Sequence, residues 1–140
     1  MNYFRLAAAS VAALIAYFVY GFLLFGLGLA NSFREYPAVY RPMEGIQRLF
    51  PIGIAATFVA ILVVTVIYAG TYRGGSGLVS GGRLGVLFGV FAVCAFVLHN
   101  YVNLNIGLKL TIEQAVAYFF EWVLVGIVIG LIYRPVGPPP

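Results

Sequence analysis

Apolar residues in this chain fall into four long runs separated by three polar connectors. The runs cover residues 6–30, 50–70, 84–106 and 112–133. About 20 residues at 1.5 Å rise per residue cross a hydrocarbon core of ~30 Å, and every run is long enough. The pattern predicts an all-α polytopic membrane protein, a four-transmembrane-helix bundle with short loops. Residues 1–134 form its single domain, and no stretch remains to build a soluble one. The first run follows a lone Arg and exceeds the ~7–15 residues of a signal-peptide core, so it is expected to stay as the first span.

The connectors differ in character. The first, "NSFREYPAVYRPMEGIQRL", is the longest and contains Pro37 and Pro42. Its second half, Met43–Phe50, is expected as an interfacial helix with Met43, Ile46, Leu49 and Phe50 toward the membrane. The second, "TYRGGSGLVSGGR", is rich in Gly and Ser, a composition that predicts mobility. The third, near "GLKLT", is so short that the third and fourth spans must form an antiparallel hairpin. Thr111 and Gln114 fit a capping box, which puts the start of the fourth helix there. The tail, residues 135–140, is Pro-rich and expected to be extended.

Composition agrees with the runs. The chain has 140 residues, 63% hydrophobic and only 9% charged, where soluble domains are about a quarter charged. Mean hydropathy is +1.02. The net charge of +4 comes from eight basic and four acidic residues. The basic ones stand singly at the ends of apolar runs, as helix anchors do, not in the cluster a phosphate backbone needs. The expected partner is therefore the lipid bilayer, with no nucleic acid. Arg5, Arg73, Arg83 and Arg134 fall on one side without an acid. Arg34, Arg41, Arg48 and Lys109 fall on the other with Glu35, Glu44 and Glu113. The counts tie, but the amino terminus and the closeness of the first set to the span ends favour both termini in the cytoplasm, in a bacterial inner membrane.

Against this apolar background the stretch "VLHNYVNLNIGLKL" stands out, with His99, Asn100, Asn103 and Asn105. The fourth run holds Glu121, and an ionised, unpaired carboxylate at such depth costs several kcal/mol. With a turn near residue 110, facing residues of the hairpin have numbers adding to about 220, so His99 and Glu121 are expected at one level. His99 and Asn103 share a helix face, with Asn100 beside them; Tyr118 and Glu121 share another. The expected site is thus an intramembrane cluster of His99, Asn100, Asn103, Tyr118 and Glu121. Tyr17 and Tyr20, near the middle of the first span, either line that pocket or bond a backbone carbonyl. Gly85 with Gly89 and Gly126 with Gly130 form two small ridges, expected to let the third and fourth helices approach closely.

These residues allow three roles for the cluster: an interhelical clamp, a proton- or ligand-handling site built on the His–Glu pair, or, if copies of the chain combine, a metal site. Two ligands in one chain fall short of a zinc set, so no metal and no cofactor is expected. Cys94, the single cysteine, reads as a small apolar filler. With no Asp in the chain there is no Ser–His–Asp set, and the Gly-rich connector lacks the phosphate-loop pattern. An enzyme is therefore the least supported class. The first functional expectation is a small integral membrane accessory or interaction protein, working with other membrane subunits or as a homo-oligomer. The alternative is a small oligomeric transporter or channel using His99 and Glu121 as a proton or cation relay.

Overall fold

A computed structural model describes residues 2–134; the Pro-rich tail lies outside them. Among the described residues the structure is helical, without strands, and four helices are long and apolar enough to cross a membrane. They are α1 (Tyr3–Gly28), α3 (Met43–Thr71), α4 (Gly77–Asn103) and α5 (Leu108–Ile132). A short helix, α2 (Ala30–Arg34), lies in the first connector. The last seven residues of α1, Phe22–Gly28, and the Val93–Leu98 stretch of α4 are wound as π-helix.

Local chemistry sets the boundaries. The side chain of Asn2 accepts the Arg5 N–H at 3.1 Å and starts α1. Ser76 caps α4 by accepting the Val79 N–H at 3.4 Å. Helix α3 starts after Pro42 and runs unbroken through Pro51. The helix expected at Met43–Phe50 is therefore present, but as the first turns of the second span rather than as a separate element. A proline removes only one helical donor, and the apolar run on either side continues the helix past it. The start of α5 also differs from expectation. Thr111 lies inside the helix and donates its hydroxyl to the Gly107 carbonyl at 3.0 Å, while Gln114 reaches away to Tyr40. The capping-box spacing is there, without the cap.

Helix α5 occupies the centre of the bundle. Its closest neighbour is α4, then α1, and α3 packs on the far side of α1. Helix α3 reaches α5 through a buried cluster in which Ile61, Val64 and Tyr68 join Leu6, Ala9, Ala13, Val125, Ile129 and Tyr133. The Tyr68 and Tyr133 rings meet edge-on at 6.1 Å, and the Asn2 N–H donates to the Tyr133 hydroxyl at 3.3 Å. That end of the bundle, with Asn2, the second connector and Tyr133, is here termed basal. The opposite end, with the first and third connectors, is apical. Helices α3 and α4 follow one another in sequence yet hardly touch.

The α4–α5 contact is made by glycine. Gly77, Gly81, Gly85 and Gly89 are all buried on one face of α4. A Cβ on Gly77 would strike the Gly130 carbonyl oxygen, and one on Gly81 would strike that of Gly126. On Gly85 it would lie 2.6 Å from the Trp122 carbonyl oxygen, and on Gly89 2.9 Å from the Phe119 ring. The expected ridges Gly85/Gly89 and Gly126/Gly130 thus do pack within one hairpin, but the α4 ridge is twice as long as expected. Its first half lies in the segment whose composition suggested a mobile linker. Only Tyr72–Ser76 forms the connector. There Gly74 and Gly75, at φ +96° and +89°, take backbone angles that side chains disfavour, and the Tyr72 hydroxyl donates to the Gly75 carbonyl at 2.8 Å.

These glycine partners fix the hairpin register. Facing residues, Gly77 with Gly130 and Gly81 with Gly126, add to about 207, not about 220. Helix α5 begins at Leu108 and α4 ends at Asn103, so the turn is centred earlier than the capping pattern implied. The shift moves His99 away from Glu121. Its level on α5 is near Leu108, about thirteen residues or roughly 19 Å above the carboxyl along the axis.

Candidate functional site: a buried carboxyl between the first and fourth spans

Glu121 lies one residue past the middle of the 25-residue α5 and is 0% exposed. Helical spacing accounts for its neighbours. Phe119, Trp122, Val123, Gly126 and Gly130 turn toward α4. Gln114, Ala117, Tyr118 and Glu121, at spacings of three and four, form a strip toward α1 and the first connector. On α1, Tyr17, Tyr20 and Gly21 are spaced the same way and face that strip.

The contacts are close. A Cβ on Gly21 would lie 3.2 Å from Glu121 Oε1, so the absence of a side chain there makes room for the carboxyl. The Tyr17 hydroxyl is beside the carboxyl, yet neither carboxyl oxygen has a formed hydrogen bond. Buried polar atoms nearly always have partners, which makes this the costliest unmet polar group in the core. Tyr20 donates its hydroxyl across the interface to the Ala117 carbonyl at 3.0 Å. Of the two roles expected for the mid-span tyrosines, Tyr17 takes the one and Tyr20 the other.

Aromatic rings enclose the site. Trp122 packs against Tyr17 at 6.2 Å and against Phe88 at 5.8 Å, joining α1 to α4 across α5. Toward the apical end the rings continue from Tyr118 to Phe25 (4.8 Å), from Phe25 to Phe33 (6.3 Å) and from Phe33 to Tyr40 (4.8 Å). The Tyr40 hydroxyl accepts from the Gln114 amide at 3.2 Å. The first connector is fastened over this end. The Gly107 N–H donates to the Tyr36 hydroxyl at 3.0 Å, and Lys109 stands 3.6 Å from Glu35.

The expected cluster therefore divides. Glu121, Tyr17, Tyr20 and Tyr118 gather at the α1–α5 interface. His99, Asn100 and Asn103 do not join them; all three are exposed near the apical end of α4, and no ion pair or hydrogen bond links His99 to Glu121 among the described residues. The Asn103 amide instead donates to the His99 carbonyl at 2.8 Å, one turn back on its own helix. At that level headgroups and water can satisfy polar side chains, so no partner within the chain is required. Gly21, Gln114, Tyr36, Tyr40 and Trp122 were not anticipated. Gly21 was the most legible of them, a small residue one helical turn past Tyr17. Cys94 is exposed, facing outward rather than filling the core. Among the described residues no three His, Cys, Asp or Glu side chains converge.

Fold and site together define a four-span helical membrane protein with a carboxyl sealed at mid-depth. Comparison with known protein families, with curated proteins and with solved structures finds no match to the chain.

Proposed function

We propose that the chain is a small integral membrane protein whose working group is the Glu121 carboxyl, taking up and releasing a proton inside the membrane, with the neutral Tyr17 hydroxyl beside it as a positioning partner. The observation that carries this reading is a fully buried mid-span carboxyl with neither oxygen satisfied. An ionisable side chain at that depth is costly, and such residues mark ion and proton pathways. The strip Gln114–Tyr118–Glu121 and the Tyr40 hydroxyl give a polar route toward the apical end. In the step itself the carboxylate takes a proton from a hydronium ion reaching the site, one O–H bond breaking as the carboxyl O–H forms, and the reverse step returns the proton to water. The basic residues number four at each end, but the basal ones, Arg5, Arg73, Arg83 and Arg134, stand close to the span ends and share that end with the amino terminus, which favours a cytoplasmic basal end, in a bacterial inner membrane.

The test is proton movement in proteoliposomes under an imposed pH gradient. The expected result is a flux above empty vesicles, lost in Glu121→Gln, reduced in Tyr17→Phe and unchanged in His99→Ala. Wild-type vesicles no leakier than empty ones would sink the proton reading.

A second reading, an accessory protein that docks other membrane subunits or its own copies, has a separate support. Residues 43–60 of α3 are exposed except for Gly45, Thr57 and Phe58, and a ring contact of Phe50 with Phe18 at 5.6 Å fastens this half to the bundle. A photo-cross-linker at Ile52, 67% exposed, is expected on this reading to give one discrete adduct in native membranes, and lipid adducts alone would count against it.

A further inference from the structure

At the basal end a cavity of about 270 Å³ opens where α3 and α4 diverge. At ~30 Å³ per water, it has room for roughly nine. Arg73 and Arg83 line it with Ser80 and Tyr68, and Leu84 and Leu87 form its lower wall. No acid faces the arginines: the ion pairs among the described residues both belong to Lys109, at the other end. Arg73 spends one donor on the Gly70 carbonyl at 3.1 Å, and the rest of its guanidinium remains available. Two guanidinium groups without an acid around one space, with Ser80 beside them, suit an acceptor with several oxygens and negative charge.

The walls say which acceptor. Arg73 sits in the connector just past the end of α3, at the level of lipid headgroups. Leu87, a turn below Arg83, is 68% exposed and continues the cavity into the gap between α3 and α4, two helices that hardly touch. A free inorganic anion would use the polar rim and leave the apolar wall idle. A lipid uses both. We propose that this cavity binds the phosphate of an anionic phospholipid, with an acyl chain lying in the gap between α3 and α4. Basic pockets between spans take anionic headgroups in this manner. The proposal is independent of the Glu121 reading, since the two sites share no residue.

The experiment is native mass spectrometry of the detergent-solubilised protein with equal amounts of phosphatidylglycerol and phosphatidylcholine. The wild type is expected to retain the anionic lipid in preference by on the order of 10- to 30-fold, as two arginines would give. The double variant Arg73→Gln/Arg83→Gln should lose the preference. Tyr68→Phe, whose lost hydroxyl is closed off from the cavity, should leave it unchanged. Arg5→Gln, at the same end but outside the cavity, should leave it intact. Thermal unfolding of each variant verifies that the fold survives. Equal retention of both lipids by the wild type, or an Arg5→Gln loss as large as the double variant's, overturns the proposal. Inorganic phosphate is added as a separate arm: if millimolar phosphate displaces the lipid and binds with the same arginine dependence, the cavity is a small-anion site and the lipid assignment fails.

Discussion

Gly81 and Gly126 meet backbone to backbone, so that a Cβ on either would run into the carbonyl oxygen of the other. In lipid the apolar effect does not press helices together. Close van der Waals contact must do it, and small residues make that contact possible. Approach at this distance also favours Cα–H···O contacts between the two helices.

Gly81→Ala should therefore destabilise the protein by about 1–3 kcal/mol, the range for overpacking a tight contact. The neighbouring Gly82→Ala is the matched control: its Cβ would meet only Ile127 Cγ1, at 3.8 Å. There the usual advantage of Ala over Gly in a helix, up to about 1 kcal/mol, should appear as no loss or a small gain. Thermal unfolding in mild detergent reads both, and equal losses at the two positions would contradict the assigned face.

Glu121 presents the opposite balance. Its oxygens are buried without formed hydrogen bonds, and replacing an unsatisfied buried polar group by an apolar one of similar shape is close to neutral or stabilising. Glu121→Leu is expected to hold or raise the unfolding temperature while abolishing proton flux in vesicles. A stability cost retained at one position is the mark of a residue kept for function. A loss of more than about 2 kcal/mol in Glu121→Leu would instead make the carboxyl a structural clamp, beyond what interhelical hydrogen bonds in membranes usually supply.

The mid-span tyrosines should separate in the same assays. Tyr20→Phe removes a bond to the Ala117 carbonyl and should cost about 0.5–1.5 kcal/mol, as cross-helix bonds in membranes do, with flux retained. Tyr17→Phe takes away the hydroxyl beside the carboxyl, and should lower flux severalfold with a smaller change in stability. His99→Ala, exposed near the apical end of α4, should alter neither by a measurable amount.

How far the sequence could be read follows from what each signal depends on. Four spans are legible because bilayer thickness sets a length that only long apolar runs meet. The glycine ridge is half legible. From Gly85 onward it lies inside an obvious run, whereas Gly77 and Gly81 sit among Ser, Arg and further Gly, a composition shared by flexible linkers and close-packed membrane helices. Only the partner helix distinguishes the two. Glu121 is legible because a lone acid at that depth has to be sheltered. Its partner is not, because the level of His99 depended on a turn position inferred from Thr111 and Gln114. Both residues have other roles, one bonded within its helix and one to Tyr40. A few residues of error in a turn are doubled in the register of the hairpin, enough to exchange an imidazole on α4 for a phenol on α1.

The apical clasp gives the last prediction. The Tyr36 hydroxyl accepts the Gly107 N–H at 3.0 Å, tying the first connector to the loop that starts α5. Tyr36→Phe leaves that N–H without its partner at a cost of about 1 kcal/mol. Gly107→Ala reaches the same end from the other side, because its Cβ would collide with the Tyr36 hydroxyl and push the ring off. Both variants should speed hydrogen exchange at amide 107 by about 5- to 10-fold, with the exchange of buried α5 amides near Val125 unchanged. Lys109→Ala, which removes ion pairs to Glu35 and Glu113 from a side chain 67% exposed, should shift exchange far less, since exposed pairs contribute at most about 1 kcal/mol and often nothing. If Lys109→Ala loosened the connector as much as Tyr36→Phe, charge rather than the tyrosine bond would be holding the first connector in place over Tyr118 and Glu121.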